Sequence, residues 1–250
     1  MSEVKNVWRQ WFSPRHSEVD RNGRVKLRAV FDYLQEAAAL HAENLGCGMR
    51  FLLDNNKMWV LSRLHFSLAR PLLLSEELTV ETYPLGFSKL FAIREFRIVD
   101  AAGGEVLRGT SLWLLLAADT MRPLRPEANL SAPLPDNSGL PEFFPEPGKL
   151  TPPEEVNPGS PSAGFEVTDA RIDLNDHLNN AEYAAMVHDA LAANLGESPL
   201  VREIQVNFLA ASKLGERIAV SAAAVPDGRF FAAGFSPDGQ AKFHASGTLF

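Results

Sequence analysis

The sequence predicts an α+β fold built twice: two antiparallel sheets, each wrapped around one long helix. Three observations carry that expectation. The polar segment Asp173-Leu174-Asn175-Asp176-His177-Leu178-Asn179-Asn180 has a degraded copy at Asp20-Arg21-Asn22-Gly23-Arg24-Val25. Each copy leads into a stretch of helical periodicity that a glycine stops. The strand-like segments that follow the two helices align with each other at a shift of about 140 residues.

In the first half, Leu27, Phe31, Leu34, Ala38 and Leu45 recur at helical spacing, and Gly46 supplies the stop. In the second half Ala184, Val187, Leu191 and Leu195 do the same before Gly196. Asn179 or Asn180 is placed to cap that helix, and Glu182 lies in its first turn, where the helix dipole favours an acid. Then come strands. Leu64, Phe66 and Leu68 alternate with His65 and Ser67, as Ile204, Val206 and Phe208 alternate with Gln205 and Asn207. Glu76–Val80 matches Glu216–Val220. Further strands are expected at Leu90–Val99 and Val106–Ala117, matched by Arg229–Phe235 and Ala241–Phe250.

Between the halves, Thr120 to Pro161 holds 11 of the 17 prolines. Proline fixes φ and supplies no amide donor, so this stretch is expected to be an extended linker, with Phe143 and Phe144 pinning it to a domain surface. The domains are then 1–120, the linker 121–161, and 162–250. A helix apolar on one face and rich in alanine suits the inside of a curled antiparallel sheet. That is the hot-dog architecture, here in tandem.

Composition narrows the function. A hydrophobic content of 46% with 22% charged residues is that of a globular chain with a real core. The longest apolar run, Leu112–Ala118, has strand length, so no membrane span is expected. The N-terminus carries Glu3, Trp8 and Arg9 and no apolar signal region, and the expected location is the cytoplasm. One cysteine, Cys47, excludes an internal disulfide and zinc clusters of several cysteines, and nothing asks for a cofactor or another metal. The net charge of −7 is uneven: residues 1–125 hold 17 of the 24 Lys and Arg but 14 of the 31 Asp and Glu. An acidic chain with no basic stripe is not built for nucleic acid, whereas its basic half suits an acidic partner protein.

The chemistry concentrates in one place. Asp173, Asn175 and His177 are spaced by two, which in an extended segment puts all three on one face. A carboxylate, an amide and an imidazole together can hold a water, accept its proton and hydrogen-bond a carbonyl oxygen. Amides at the start of the following helix point at any developing negative charge. The first copy has arginine, Arg24, where the second has His177, so one working site is expected. His41 is read as a satisfied core or boundary histidine.

The segment Asp-x-Asn-x-His-x-Asn-Asn-x-x-Tyr, Asp173 to Tyr183, resembles the motif of the acyl-acyl carrier protein thioesterases of plants and bacteria. The likeness covers essentially the whole chain, through Glu18-Val19-Asp20-Arg21-Asn22-Gly23, Tyr33-Leu34-Gln35-Glu36-Ala37 and Trp59-Val60-Leu61-Ser62-Arg63. It implies a tandem hot-dog hydrolase that releases free fatty acid from acyl carrier protein in fatty acid biosynthesis. Asp173 would activate water or attack the thioester directly, while Asn175 and His177 orient the water and polarise the carbonyl. The first half would bind the acyl chain, with Met58, Trp59 and Leu61 helping to set its length. Arg24 would meet the phosphate of the carrier arm, and Arg122 and Arg125 would dock the carrier. Where much of the family has a glutamate three residues after the aromatic of a second-half strand, this chain has Ala211, three after Phe208; Glu182 and Glu203 are the alternatives. Ser212 stands where plant members carry a cysteine, which removes thiol chemistry there. Hydrolysis of acyl-coenzyme A, hydration of an enoyl thioester and non-catalytic acyl binding are the competing functions. Fusion of two hot-dogs fits a monomer and also a homodimer.

Overall fold

The computed structural model describes residues 3–225 and 227–250. The chain forms two compact units. The first comprises the chain up to Arg24 together with Asp32–Pro147; the second comprises Val25–Phe31 together with Gly148–Phe250.

The first unit contains β1 (Trp8–Phe12), the greater part of α1 (Leu27–Asn44), α2 (Met49–Asp54), β2 (Lys57–Leu68), β3 (Leu78–Ser88), β4 (Phe91–Asp100), β5 (Glu105–Ala117), β6 (Pro123–Leu124) and α3 (Pro126–Asn129). Its antiparallel strands run in the order β1-β3-β4-β5-β2, with β6 against β5. Directly opposite residues share a face. Phe96, Gly109 and Phe66 form one such row, and both phenylalanines are fully buried. Against this inner side lies α1, whose His41 is wholly buried. Its Nδ1 lies 3.1 Å from Arg94 Nη1 and its Nε2 2.8 Å from the Lys5 carbonyl. A guanidinium only donates, so Nδ1 accepts and the ring proton sits on Nε2. Burial, and then the Arg94 charge, hold His41 down to about 4. It is a satisfied core histidine.

The next row, Tyr83, Glu95, Thr110 and His65, is also formed by directly opposite residues, on the other face of the sheet. Each of them meets the proline-rich segment. Tyr83 Oη donates to the Pro141 carbonyl at 2.6 Å, and Glu95 Oε2 accepts from the Phe143 amide at 3.1 Å. Thr110 Oγ1 accepts from the Phe144 amide at 3.1 Å, and the His65 ring lies 3.9 Å from the Phe144 ring. Residues 121–147 are therefore part of the first unit, a strap buckled onto its sheet. The expectation that Phe143 and Phe144 pin this stretch matches that geometry.

Glu95 is fully buried, and among the described residues its Oε1 has no hydrogen-bond partner. Burial pushes its carboxyl up to about 7, opposed by the bonds from Thr110 and Phe143 and reinforced by Glu142. The other ionisable or charged neighbours of the strap here are Tyr83, His65 and Arg108, the last over the Phe144 ring. A folded pKa above the ordinary carboxyl value favours the protonated form. Its stabilisation is full below about 4.5 and lost as pH rises through about 7. Glu95→Gln keeps the shape and stays neutral, so its Tm should gain on the wild type by several degrees between pH 5.5 and 8.5, at about 2–4 °C per kcal/mol for a chain of this size. Parallel Tm curves across that range would contradict it.

The second unit contains β7 (Ala163–Glu166), α4 (Asn180–Leu195), β8 (Val201–Phe208), β9 (Arg217–Ala224), β10 (Arg229–Phe235) and β11 (Ala241–Leu249). Its strands run β7-β9-β10-β11-β8, the order of the first unit position for position. Asn179 Oδ1 caps α4 by accepting the Ala181 amide at 2.8 Å, and Gly196 ends it at φ +74°, a left-handed conformation that favours glycine. Tyr183 packs edge-on against Phe208 and Phe243, with ring centroids 5.6 and 5.4 Å away. Here too the proline-rich stretch is fastened to the sheet. The Gly148 carbonyl accepts from Gln205 and Asn207, Leu150 O lies 3.1 Å from His244 Nδ1, and Ser221 Oγ donates to Asn157 O. Val156 is buried against Ala233 and Phe235. The segment 121–161 thus divides between the two units.

Close approach of β11 to β8 requires a glycine at 247. An added methyl there would lie 1.9 Å from the Glu203 carbonyl oxygen and 2.8 Å from Phe230 Cζ. Gly247→Ala is expected to destabilise the protein by at least about 1–3 kcal/mol; denaturant unfolding checks this, and an unchanged midpoint would count against it.

Candidate active site

The two polar copies fold into the same turn. A short 3₁₀ segment precedes each: His16–Glu18 in the first unit and Asp169–Arg171 in the second. In the first copy, the Asp20 amide donates to the Arg24 carbonyl at 2.8 Å, the Gly23 amide to the Asp20 carbonyl at 3.0 Å, and the Asn22 amide to Asp20 Oδ1 at 2.8 Å. In the second, the Asp173 amide donates to the His177 carbonyl at 2.8 Å, the Asp176 amide to the Asp173 carbonyl at 3.1 Å, and the Asn175 amide to Asp173 Oδ1 at 2.8 Å. Gly23 has φ +74° and Asp176 φ +59°, so the left-handed position that closes each turn coincides too.

The expected extended segment is therefore a tight turn. Side-chain carboxylates of Asp readily accept from the amide two residues on, which folds such a stretch instead of extending it. Asp173 and His177 face each other across the neck, next to the Ile172–Leu178 bridge, and Asn175 lies exposed at the tip. Asp173 and His177 thus occupy opposite backbone positions, a placement different from the one the two-residue spacing suggested.

What separates the copies is the fourth partner. Arg24 donates from Nε to Asp20 Oδ2 at 2.8 Å, its Nη2 lies 2.7 Å from the same oxygen, and its amide reaches Oδ1 at 3.0 Å. Burial acts to raise the Asp20 carboxyl, but these bonds outweigh it and leave the group below its ordinary value. That copy is closed. The Arg24 guanidinium is held by Asp20 through Nε and Nη2, so any phosphate would meet it as part of an ion pair. In the second copy, among the described residues, neither Asp173 Oδ2, the side chain of Asn175 nor either ring nitrogen of His177 makes a hydrogen bond. The His177 amide is equally unpaired, where the Arg24 amide is held by Asp20. The turn is open and presents an acid, an amide and an imidazole.

Two amides at the helix start are already taken. Asn179 occupies the Ala181 amide with its side chain and the Glu182 amide with its carbonyl, at 2.8 and 3.0 Å. In the turn itself, among the described residues, the His177 amide has no hydrogen-bond partner.

Glu182 is buried and bound by Arg28 at 2.9 Å and Arg171 at 3.7 Å. Its carboxylate ties α4 to the segment preceding the turn. Glu203 lies on β8 opposite Thr248. Ala211 is exposed, and its carbonyl accepts from the Lys242 ammonium at 3.1 Å. Sequence reading did not find Lys242; it stands 31 residues from Ala211, and no motif marks it.

The remaining expected residues lie in the first unit. Leu61 is buried in β2, whereas Met58 and Trp59 are half-buried there, with Trp59 Nε1 donating to the Cys47 carbonyl at 3.1 Å. Cys47 is buried and free, and burial pushes its thiol up, which disfavours a nucleophilic thiolate. Arg122 and Arg125 flank β6, both exposed and, among the described residues, without an ion-pair partner. Among the described residues no cluster of three His, Cys, Asp or Glu is arranged to hold a metal ion, and no helix is long and apolar enough to cross a membrane.

Fold and site together define a class: a duplicated hot-dog chain with one closed and one open copy of an acid-bearing turn. The chain belongs to the acyl-ACP thioesterase family. Residues 5–134 match the family model of the acyl-ACP thioesterase N-terminal domain, and residues 158–237 match that of the C-terminal domain. Among curated relatives, it is 25% identical over 222 residues to oleoyl-acyl carrier protein thioesterase 2, chloroplastic, of Arabidopsis thaliana, covering 80% of this chain and 58% of that protein. To dodecanoyl-[acyl-carrier-protein] hydrolase, chloroplastic, of Umbellularia californica it is 28% identical over 213 residues, covering 81% of this chain and 55% of that one. The chain therefore spans less than two thirds of the length of these relatives. In fold it is similar to the crystal structure of an acyl-ACP thioesterase from Bacteroides thetaiotaomicron, with a TM-score of 0.82 and 22% identity over the whole of both chains. Likeness to the 12:0-ACP thioesterase from Umbellularia californica gives a TM-score of 0.78 at 18% identity, covering 100% of this chain and 99% of that one.

Proposed function

We propose that this protein hydrolyses the thioester joining a fatty acyl chain to acyl carrier protein, releasing free fatty acid in fatty acid biosynthesis. The observation that carries the reading is the open turn: among the described residues Asp173 Oδ2 and the side chains of Asn175 and His177 have no hydrogen-bond partner, where the first copy is locked by Arg24. Family membership and the names of the relatives support the choice of substrate.

In this reading Asp173 Oδ2 takes a proton from water, and the water oxygen bonds to the thioester carbonyl carbon. Asn175 and the His177 amide hydrogen-bond the carbonyl oxygen as it becomes negative. When the C–S bond breaks, the departing thiolate takes a proton through His177, and the acid is released. No cofactor takes part. The acyl chain is received by the first half, where Met58, Trp59 and Leu61 of β2 help to limit its length. A cytoplasmic location belongs to the same proposal, and the unpaired Cys47 fits a reducing compartment.

Arg122 and Arg125, exposed and, among the described residues, without an ion-pair partner, are assigned to the acidic carrier protein. Reversing both charges should raise KM for acyl carrier protein substrates roughly tenfold or more, with a steep salt dependence, and leave acyl-coenzyme A kinetics unchanged. Equal kinetics of wild type and variant on the carrier substrate would remove these arginines from the docking surface.

A further inference from the structure

We propose that Lys242 is a positioning residue for the Asp173–His177 turn, acting through the backbone at Ala211 and Ser212; the inference rests on the site reading above. Lys242 is 5% exposed, an unusual place for an ammonium unless its donors are met. They are met by one loop. Its Nζ lies 2.6 Å from Glu216 Oε1 and donates to the Ala211 carbonyl at 3.1 Å. Its own carbonyl accepts the Leu209 amide at 2.9 Å and the Ala210 amide at 3.2 Å. Glu216 Oε2 in turn accepts the Lys213 amide at 3.1 Å. The loop 209–216 is thus fastened at its start, middle and end by one lysine and its ion-pair partner.

That loop holds the site. Ser212, the neighbour of Ala211, gives its carbonyl to the Leu178 amide at 2.8 Å, and Leu178 is the bridge partner of Ile172 at the neck of the turn. A shift of residues 211–212 moves the strand that carries His177 relative to the one that carries Asp173. Misplacement by about 1 Å, from a change away from the chemistry, can cost on the order of 10²-fold in rate. At the position where much of the family has a glutamate side chain, this chain offers a backbone carbonyl to a buried cation. Support for the turn comes from Lys242.

Lys242→Met alone would leave the half-buried Glu216 carboxylate without its partner, so it is paired with the double variant Lys242→Met/Glu216→Gln, which removes both charges. If Lys242 positions the turn, both variants lose tenfold or more in kcat on an acyl carrier protein substrate with KM within about twofold of wild type, measured well below Tm. The Leu178 amide should exchange with deuterium faster in both. Recovery of wild-type kcat in the double variant would show that Lys242 only balances charge, and it would overturn the proposal, as would unchanged kcat in both. Asp173→Asn is assayed in parallel. Its inactivity beside fully active Lys242 variants would refute Lys242 alone, whereas full activity of Asp173→Asn would refute the site on which the proposal rests.

Discussion

Asp173→Asn is expected to lower kcat by about 10²–10⁴-fold, the range supplied by a positioned proton acceptor, while Tm and secondary structure stay at wild-type values. The substitution is chosen because it separates the two tasks of this side chain. Oδ1 folds the turn by accepting the Asn175 amide, and an asparagine oxygen does the same. Oδ2 is the open oxygen, and an amide nitrogen in its place carries no negative charge and accepts no proton. Asp173→Ala removes both functions and should lose stability as well as activity. Wild-type turnover by Asp173→Asn would exclude the carboxylate from the chemistry.

His177→Ala carries the second large effect, again about 10²–10⁴-fold in kcat, with the larger part falling on kcat because the imidazole handles a proton during bond breaking. The backbone of residue 177 closes the turn through its carbonyl, which alanine retains, so the fold should persist. The control lies in the first copy. Arg24→Ala opens an ion pair on a half-buried carboxylate and should lower Tm with little change in kcat, because that turn holds no free acid in the wild type. An Arg24→Ala variant as inactive as His177→Ala would show that the first copy does chemistry after all.

Much of this molecule was legible in the chain. The duplication, both long helices, their glycine stops and most of the strands follow from periodicities of 3.6 and 2 and from residues such as Gly196 that suit a left-handed stop, whereas β3 runs on to Ser88, past the expected end at Val80. The choice of Asp173, Asn175 and His177 rests on residue type, since acid, amide and imidazole mark chemistry in any local geometry. Their arrangement was not legible. Asp-Leu-Asn-Asp is turn chemistry, and Asp176 takes a positive φ that the two-residue spacing of an extended strand would never call for.

How the strap is fastened beyond Phe143 and Phe144 is hidden in the chain for a physical reason. Proline lacks a donor but keeps its carbonyl. The Pro141, Pro147 and Gly148 carbonyls accept from Tyr83, Arg63, Gln205 and Asn207, side chains whose alternation alone reads as solvent-facing. Lys242 was invisible because its partners at 211 and 216 are brought close only by the pairing of β11 with β8 and the loop that follows β8.

The most direct measurement is the release of free fatty acid by the purified protein from a graded series of acyl-acyl carrier proteins, with the matching acyl-coenzyme A esters alongside. The open turn and the unpaired arginines predict release that prefers the carrier-linked substrates. Carrier-linked thioesters that stay intact through long incubation while bound to the protein would contradict hydrolysis and leave acyl binding as the function.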